Sequence, residues 1–317
     1  MMTVVSALIA ALLLLAAPGE APAAKRGGTL RIAMEGEAPD LDAIKVGFPL
    51  KVYRETLGSG LVRLDEDLNI IPDLAQSWEF SEDGRIITFK LYPGGTYHDG
   101  TPLDAESVKW NLDIINEHAV PKWLQEARKQ NPKHPLNNSF RSYLHHIEKV
   151  VVVDKYTLRV HQKEVGKAQT LDALASVFSR LVLVSPKAYD TDIEKFRRHP
   201  VMSGPFKFVE WKRNQHLFAE RHTGYFTKDL PYVDRVEFYF MPDANQRVNA
   251  LIAGEIDVIN NLPLPLYETA KRAPGVKVYM GKSTTNYAFP YNNQMPLWRD
   301  IRVRKAITCF GVDRPQI

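Results

Sequence analysis

The alternation of apolar and polar residues predicts a chain of short strands and short helices. Thr29 to Met34 alternates as a half-buried strand does, and Leu50 to Leu57 has helical spacing and is stopped by Gly58. Two further pairs of strand-like runs enclose the turn sequences Asp83-Gly84 and Asp154-Lys155. Such pairs predict two β-hairpins in the first half of the chain, and Asp-Gly is the stronger signal of the two.

Two helices have recognisable beginnings. Asp104 is a suitable N-cap for a helix from Ala105 to about Asn116, and Asp243 is the corresponding residue for Ala244 to Ala253. Gly254 is expected to end the second of these helices. Its buried stripe is expected to consist of Val248, Leu251 and Ile252.

The second half of the chain alternates predicted strands with predicted helices. Strands are expected at 205–211, 216–221, 236–240, 256–259, 276–280 and 285–289, and helices at 168–178, 264–272 and from 303 onward. This alternation indicates an α/β fold around a sheet of mixed strand direction.

The first residues have most features of an export signal. Val4 to Ala17 is apolar but shorter than the ~20 residues that span a membrane, and Ala21-Pro22-Ala23 is a small-residue cleavage site. No Lys or Arg precedes the apolar run, which departs from the usual basic start. We expect residues 1–23 to be a cleaved signal peptide and the mature protein to be periplasmic; the alternative is a buried N-terminal helix.

Composition narrows the classes of protein further. The chain has 317 residues, 44% of them hydrophobic, and a net charge of +4, which suits about two domains with an ordinary core. No block of basic residues interleaved with aromatics occurs, so no nucleic-acid partner is expected. The one cysteine, Cys309, excludes an internal disulfide and lies far from the cleavage region, so no lipid anchor is expected. Cys309 falls in an apolar helical pattern and is interpreted as a core residue.

Four segments carry a resemblance to a known family. They are 73–78 with 89–91 and 98–108, then 203–211 with 220–221 and 225–226, then 233–236 with 242–258, and last 300–307 with 313–314. In this order they resemble the family 5 extracellular solute-binding proteins. That family is similar to the bacterial oligopeptide-, dipeptide- and nickel-binding proteins.

The resemblance implies a periplasmic-binding-protein fold of type II, an α/β fold with two lobes and an extra inserted domain. By analogy, residues 27–48 plus 168–282 form the first lobe, 49–167 the insert, and 285–317 a hinge strand and the start of the second lobe. Family members continue beyond this length. We therefore expect a C-terminally truncated chain whose second lobe is mostly missing, with an exposed apolar patch.

The resemblance also implies ligand-binding residues in a cleft between the lobes. Glu37, in the loop after the first strand, is expected to hold a peptide's ammonium group; the alternative is a solvated acidic loop. Phe140 or Tyr143 would place an aromatic ring from the insert near the ligand, unless both are core residues. The remaining candidates, which hinge packing would equally explain, are Tyr287, Phe289 and Asn292.

The implied function is that of a periplasmic binding protein of an ABC importer. It captures peptides by lobe closure and delivers them to inner-membrane permease subunits, as a monomer without cofactor or catalytic residues. A nickel, haem or glycan-fragment receptor on the same fold is the alternative, and a secreted hydrolase is the rival from another class. Neither a Walker A loop nor a G-x-S-x-G elbow occurs, and the adjacent pair His145-His146 is badly spaced for a metal.

Overall fold

The computed structural model describes residues 26–44, 50–136, 144, 146–163, 178–179, 181–280 and 295–310. The strands, numbered in chain order, are β1 (Thr29–Met34), β2 (Val62–Leu64), β3 (Ile70–Pro72), β4 (Ala75–Phe80), β5 (Ile86–Leu91), β6 (Ile147–Asp154), β7 (Thr157–Gln162), β8 (Phe206–Lys212), β9 (His216–Arg221), β10 (Arg235–Phe240) and β11 (Val258–Ile259). The helices are α1 (Leu50–Leu57), α2 (Ala105–Ile115), α3 (Lys122–Gln130), α4 (Pro186–Thr191), α5 (Ile193–Phe196), α6 (Ala244–Ile252), α7 (Tyr267–Arg272), α8 (Pro296–Arg299) and α9 (Ile301–Phe310).

The larger sheet has mixed strand direction, as the sequence predicted. Its five strands follow the order β11-β1-β10-β9-β8. β1 runs parallel to both β10 and β11, with Thr29 opposite Arg235 and Ile32 opposite Val258. β9 is antiparallel to β10 and to β8, so the last two neighbours in this sheet form a hairpin.

The smaller sheet contains the two hairpins expected from the turn sequences. Its four antiparallel strands follow the order β4-β5-β7-β6. Gly84 has a φ of 72° in the turn between β4 and β5, a conformation that glycine adopts without strain. In the other turn Asp154 accepts a hydrogen bond from the amide of Tyr156 at 2.8 Å. A separate two-stranded ladder joins β2 and β3.

One continuous core underlies both sheets. It includes Leu217 and Phe238 of the larger sheet and Ile87 and Phe89 of the smaller sheet, all fully buried. Each such side chain contributes about 1.5–3 kcal/mol through burial. The segment before β8 passes close to the end of α1, because a Cβ on Gly204 would lie 2.4 Å from the amide nitrogen of Gly58.

Helix α2 begins as predicted, whereas the buried face of α6 differs. Asp104 and Ser107 form a reciprocal capping box at the start of α2. In α6 the buried residues are Arg247, Val248 and Ala250, while Ile252 is 43% exposed. The predicted stripe is therefore wrong at Leu251 and Ile252: α6 approaches the sheet through its small residue Ala250, which packs with Ala33 and Ile256.

The expected strand at 276–280 is absent from the structure. Those residues pair with no described strand, and Tyr279 and Met280 are 84% and 78% exposed. The predicted helix at 168–178 lies outside the described residues except for Phe178, which is buried. The predicted strand at 285–289 lies wholly outside them.

By compactness the chain divides into two units, Met1–Tyr279 and Met280–Ile317. The described part of the second unit consists of α8 and α9, and α9 confirms the helix expected from residue 303 onward. The predicted boundaries of lobe and insert stay a prediction. Within the described ranges, no helix combines the length and apolarity needed to cross a bilayer.

Candidate functional site

Three loops meet at one edge of the larger sheet. Because β1, β10 and β11 are parallel, the loops that follow them, at 35–38, 241–243 and 260–262, leave the sheet on the same side. We call this set of loops the carboxyl edge. In open α/β sheets ligands bind outside the carboxyl ends of the strands, which makes the carboxyl edge the candidate binding site.

Backbone hydrogen bonds hold the three loops together. The amide of Met241 donates to the carbonyl of Met34 at 2.8 Å, and the amide of Asn260 donates to the carbonyl of Ala33 at 3.1 Å. These bonds continue the parallel ladders past the last paired residues of β10 and β11. The carboxyl edge is therefore a fixed surface at its base.

Two asparagines that the sequence analysis did not single out stand on this edge. Asn261 has a φ of 60°, and its amide Nδ2 donates to Oε2 of Glu35 at 2.9 Å. The neighbouring Asn260 side chain reaches the sulfur of Met34 at 3.8 Å. The signal in the sequence was an Asn-Asn pair directly after a short strand, but its meaning depends on β11 lying beside β1.

The carboxylate of Glu37 is held by the end of β8 and by the turn that follows it. Its Oε2 accepts hydrogen bonds from Nε1 of Trp211 at 3.1 Å and from the amide of Asn214 at 3.0 Å. Nε of Arg213 lies 3.2 Å from the other oxygen, and the Glu37 side chain is 15% exposed. Three donors thus occupy a group that the sequence analysis assigned to a ligand, and the ligand-binding role stays a prediction.

Tyr53 fixes the same loop from the core side. Its hydroxyl donates to the carbonyl of Gly36 at 2.8 Å, and its ring meets Phe238 edge to face at 5.0 Å. Burial, with the charge of Glu37 as a smaller cause, raises the pKa of Tyr53 far above its ordinary value. The phenol therefore stays a neutral donor throughout the physiological range.

Arg247 supports the loop after β10. Its Nη1 donates to the carbonyls of Met241 and Pro242 at 2.7 and 2.9 Å, and the residue is 2% exposed. Its Nε is buried without a hydrogen-bond partner within the described part of the chain. The sequence did not predict that Arg247 binds these carbonyls, because an arginine in the first turns of a helix is usually solvated.

The other candidates from the sequence fall into two groups. Those outside the described residues are Phe140, Tyr143, Tyr287, Phe289 and Asn292, together with His145. Asp104 caps α2 as expected, and Asp99 lies in the preceding turn, where it accepts a hydrogen bond from the amide of Thr101 at 3.0 Å. Across the described ranges, His, Cys, Asp and Glu form no group of three that could hold a metal ion.

One protein family matches most of the chain. The sequence profile described as bacterial extracellular solute-binding proteins, family 5 Middle, matches residues 69–317. The chain belongs to this family. Membership confirms the resemblance found in the four sequence segments, and the family is one of extracellular proteins.

Curated relatives agree with the family assignment. The chain is 29% identical over 262 residues to the oligopeptide-binding protein AppA of Bacillus subtilis, covering 82% of this chain and 45% of that protein. It is 32% identical over 214 residues to the glutathione-binding protein GsiB of Pectobacterium atrosepticum, covering 67% of this chain and 37% of that one. The chain thus spans less than half the length of these two relatives. Both are binding proteins and not enzymes.

Solved structures show the same fold. AppA of Bacillus subtilis with a nonapeptide gives a TM-score of 0.73 at 24% identity, over 92% of this chain and 55% of that chain. NikZ of Campylobacter jejuni with Ni(L-His) gives a TM-score of 0.73 at 23% identity, over 91% and 54%. The fold is therefore the type II periplasmic-binding-protein fold that the sequence predicted.

Proposed function

We propose that the chain carries the ligand-receiving edge of an exported binding protein that captures peptides for an ABC importer. The observation that carries the proposal is the carboxyl edge itself, where Glu35, Asn260 and Asn261 stand at the ends of parallel strands. An extended peptide that lies along a sheet edge satisfies its backbone groups by hydrogen bonding, and side-chain pockets supply the selectivity. The oligopeptide-binding relative supports a peptide over other solutes.

Two carboxylates compete for the peptide's ammonium group. Glu35 has the Asn261 amide as its one hydrogen-bond partner within the described ranges, so it retains accepting capacity. Glu37 already accepts from Trp211 and Asn214, and an ammonium group there would have to displace the guanidinium of Arg213, whose side chain is 57% exposed. We therefore assign the ammonium first to Glu35 and keep Glu37 as the alternative.

The remaining parts of the proposal follow the family resemblance. Phe140 or Tyr143 covers the ligand from the insert at 49–167, and Tyr287, Phe289 and Asn292 contact it from the hinge strand. Residues 1–23 direct export to the periplasm and are removed. The monomeric protein then delivers its ligand to inner-membrane ABC permease subunits.

Calorimetric titration of the full chain with tri-alanine tests the proposal. We expect binding that weakens at least ~10-fold when the amino terminus is acetylated, since a charge-assisted contact of about 1.4 kcal/mol is lost. Glu35→Gln should remove the difference between the two peptides, and the exposed Glu66→Gln is the matched charge control.

The outcome of the titration decides which carboxylate binds the ammonium group and whether the ligand is a peptide. If the difference in affinity between free and acetylated tri-alanine disappears in Glu37→Gln but not in Glu35→Gln, the ammonium group is assigned to Glu37 instead. Equal affinity for both peptides would reject an ammonium contact at either carboxylate. Binding of Ni²⁺ without any binding of tri-alanine would reject the peptide assignment.

A further inference from the structure

Two histidines meet where the segment before α2 crosses the ends of the β8–β9 hairpin. The ring of His98, in the turn at 96–101, contacts the ring of His222, which follows β9, with centroids 5.0 Å apart and planes at 68°. The turn belongs to the chain between the strands of the smaller sheet, and the hairpin belongs to the larger sheet. The pair therefore lies at the joint between the two sheets.

His98 is bonded in a way that only a neutral imidazole permits. Its Nδ1 lies 3.3 Å from the amide nitrogen of Met202, which must donate to it. Its Nε2 lies 3.1 Å from the carbonyl of Gly204, to which it must donate. One ring satisfies both partners as the Nε2-protonated tautomer, whereas an imidazolium would direct a second N–H at the Met202 amide.

His222 is held by the opposite side of the same turn. Its Nε2 lies 3.0 Å from the carbonyl of Thr96 and donates to it, and its amide donates to the carbonyl of Pro205 at 2.9 Å. The residue is 7% exposed. A Cβ on Gly224 would lie 2.4 Å from Oγ1 of Thr96, so the turn has little room to shift away from a charged ring.

The charges around the pair disfavour protonation. Burial lowers the pKa of both imidazoles, and Lys207 of β8 faces both and lowers each further, while His222 acts in the same sense on His98. Asp99 is the carboxylate that favours a charged His98, but its Oδ2 already accepts from Oγ of Ser185 at 2.7 Å. The imidazoles of His98 and His222 are therefore both uncharged at neutral pH.

We propose that His98 and His222 form an acid-sensitive latch that fastens the 96–101 turn to Met202 and Gly204 on one side and to the end of β9 on the other, and that protonation of His98 opens it. A proton on Nδ1 of His98 removes the acceptor of the Met202 amide, and a proton on His222 places a cation beside the His98 ring and Lys207. The opening is local, because the strands on either side keep their own ladders.

The direction of the pH effect follows from the lowered pKa values. Both rings contribute their full stabilisation above their ordinary pKa of 6.5, and this stabilisation is lost as the pH falls below that value. The latch is therefore closed at neutral pH and loosens in acid.

Hydrogen exchange of the full chain at about pH 7.5 and about pH 5, corrected for intrinsic rates, tests the latch. We expect the amides of Met202 and His98 to lose protection at least ~10-fold in acid relative to those of β5. His98→Gln keeps an acceptor for Met202 and a donor for Gly204 but does not titrate, so it should abolish most of that loss. His161→Gln, on β7 away from the joint, should behave as the wild type.

Unchanged protection of Met202 between the two pH values in the wild type would overturn the latch, as would an equal loss in His98→Gln. If His98→Gln does not fold, the wild-type imidazole signal of His98 is titrated by NMR instead. The latch then requires that the imidazole of His98 titrates below its ordinary pKa of 6.5 and that Met202 loses protection as the pH falls below 6.5. Protonation of both rings without that loss would reject it.

Discussion

The indole Nε1 of Trp211 donates a hydrogen bond of 3.1 Å to the carboxylate of Glu37, a residue 174 positions earlier in the chain. The bond ties the loop after β1 to the end of β8, and Asn214 and Arg213 add to it from the adjoining turn. A loop held this firmly at one residue presents its neighbours, Glu35 and Gly36, in a fixed position. The bond therefore connects the stability of the sheet with the geometry of the carboxyl edge.

Replacing Trp211 by Phe should destabilise the protein by about 1–2 kcal/mol, because a poorly exposed carboxylate loses one donor. Urea unfolding at neutral pH measures the change. Trp78→Phe is the matched control, since Trp78 is a partly buried indole of β4 without this bond. Equal losses in the two variants would mean that ring volume, and not the bond to Glu37, determines the result.

Gly204→Ala should be strongly destabilising, by about 3 kcal/mol or more, because the new Cβ would lie 2.4 Å from the Gly58 nitrogen and 2.5 Å from the Leu57 carbonyl carbon. Backbone atoms cannot move aside as a flexible side chain can. Gly36→Ala meets no atom within 4 Å and should stay within about 0.5 kcal/mol of the wild type. Thermal unfolding of both variants gives the comparison, and similar melting temperatures would contradict the close approach of Gly204 to the end of α1.

Asp73 should reduce stability as the pH rises. Burial raises its pKa to about 6, so the folded chain binds this proton more tightly than the unfolded chain does, whose ordinary value is 3.8. Folding therefore bears the cost of ionising Asp73 above pH 6, and this cost disappears as the pH falls toward 3.8.

Asp73→Asn removes that titration. The free energy of unfolding of the wild type relative to the variant should fall by up to about 3 kcal/mol between about pH 4 and about pH 8. Urea titrations across this range provide the two curves, in which the contributions of His98 and His222 are common and cancel. A constant difference at all pH values would show that Asp73 ionises in the folded protein as it does in water.

Asn111→Ala should lower the free energy of unfolding by about 2–3 kcal/mol, because the buried side-chain amide makes two hydrogen bonds to the backbone of a single residue. Its Nδ2 donates to the carbonyl of Val184 at 3.0 Å, and its Oδ1 accepts from the Val184 amide at 2.9 Å. Asn116→Ala, which removes a single bond to the Leu112 carbonyl, should cost less than about 1 kcal/mol. Chemical denaturation distinguishes them, and a smaller loss for Asn111 than for Asn116 would be the contrary result.

Local signals in the sequence predicted most of the elements. The turn at Asp83-Gly84 and the cap at Asp104 act within a few residues, so the first hairpin and α2 occur where they were expected. The strand expected at 276–280 failed for the opposite reason. An alternating run becomes a strand only when another strand lies beside it, and residues 276–280 have no such neighbour among the described strands.

The candidate site was harder to predict because it is assembled from distant segments. Asn261 becomes a site residue only because β11 lies beside β1, and Arg247 is buried only because its guanidinium binds the carbonyls of Met241 and Pro242. Neither fact has a short-range signature. Glu37 lies in the loop after β1, where the sequence places it, but its bonds to Trp211 and Asn214 depend on long-range packing.

The parallel pairing of β1 with β10 has a consequence for the order in which the protein assembles. Thr29 pairs with Arg235, so the first described strand to leave the ribosome has no partner in β10 until residue 235 has been synthesised. The strands of the smaller sheet, in contrast, find their partners among residues 75–162 and close shorter loops. We therefore expect the smaller sheet to form before the larger one, and the edge proposed to receive the ligand to take shape late.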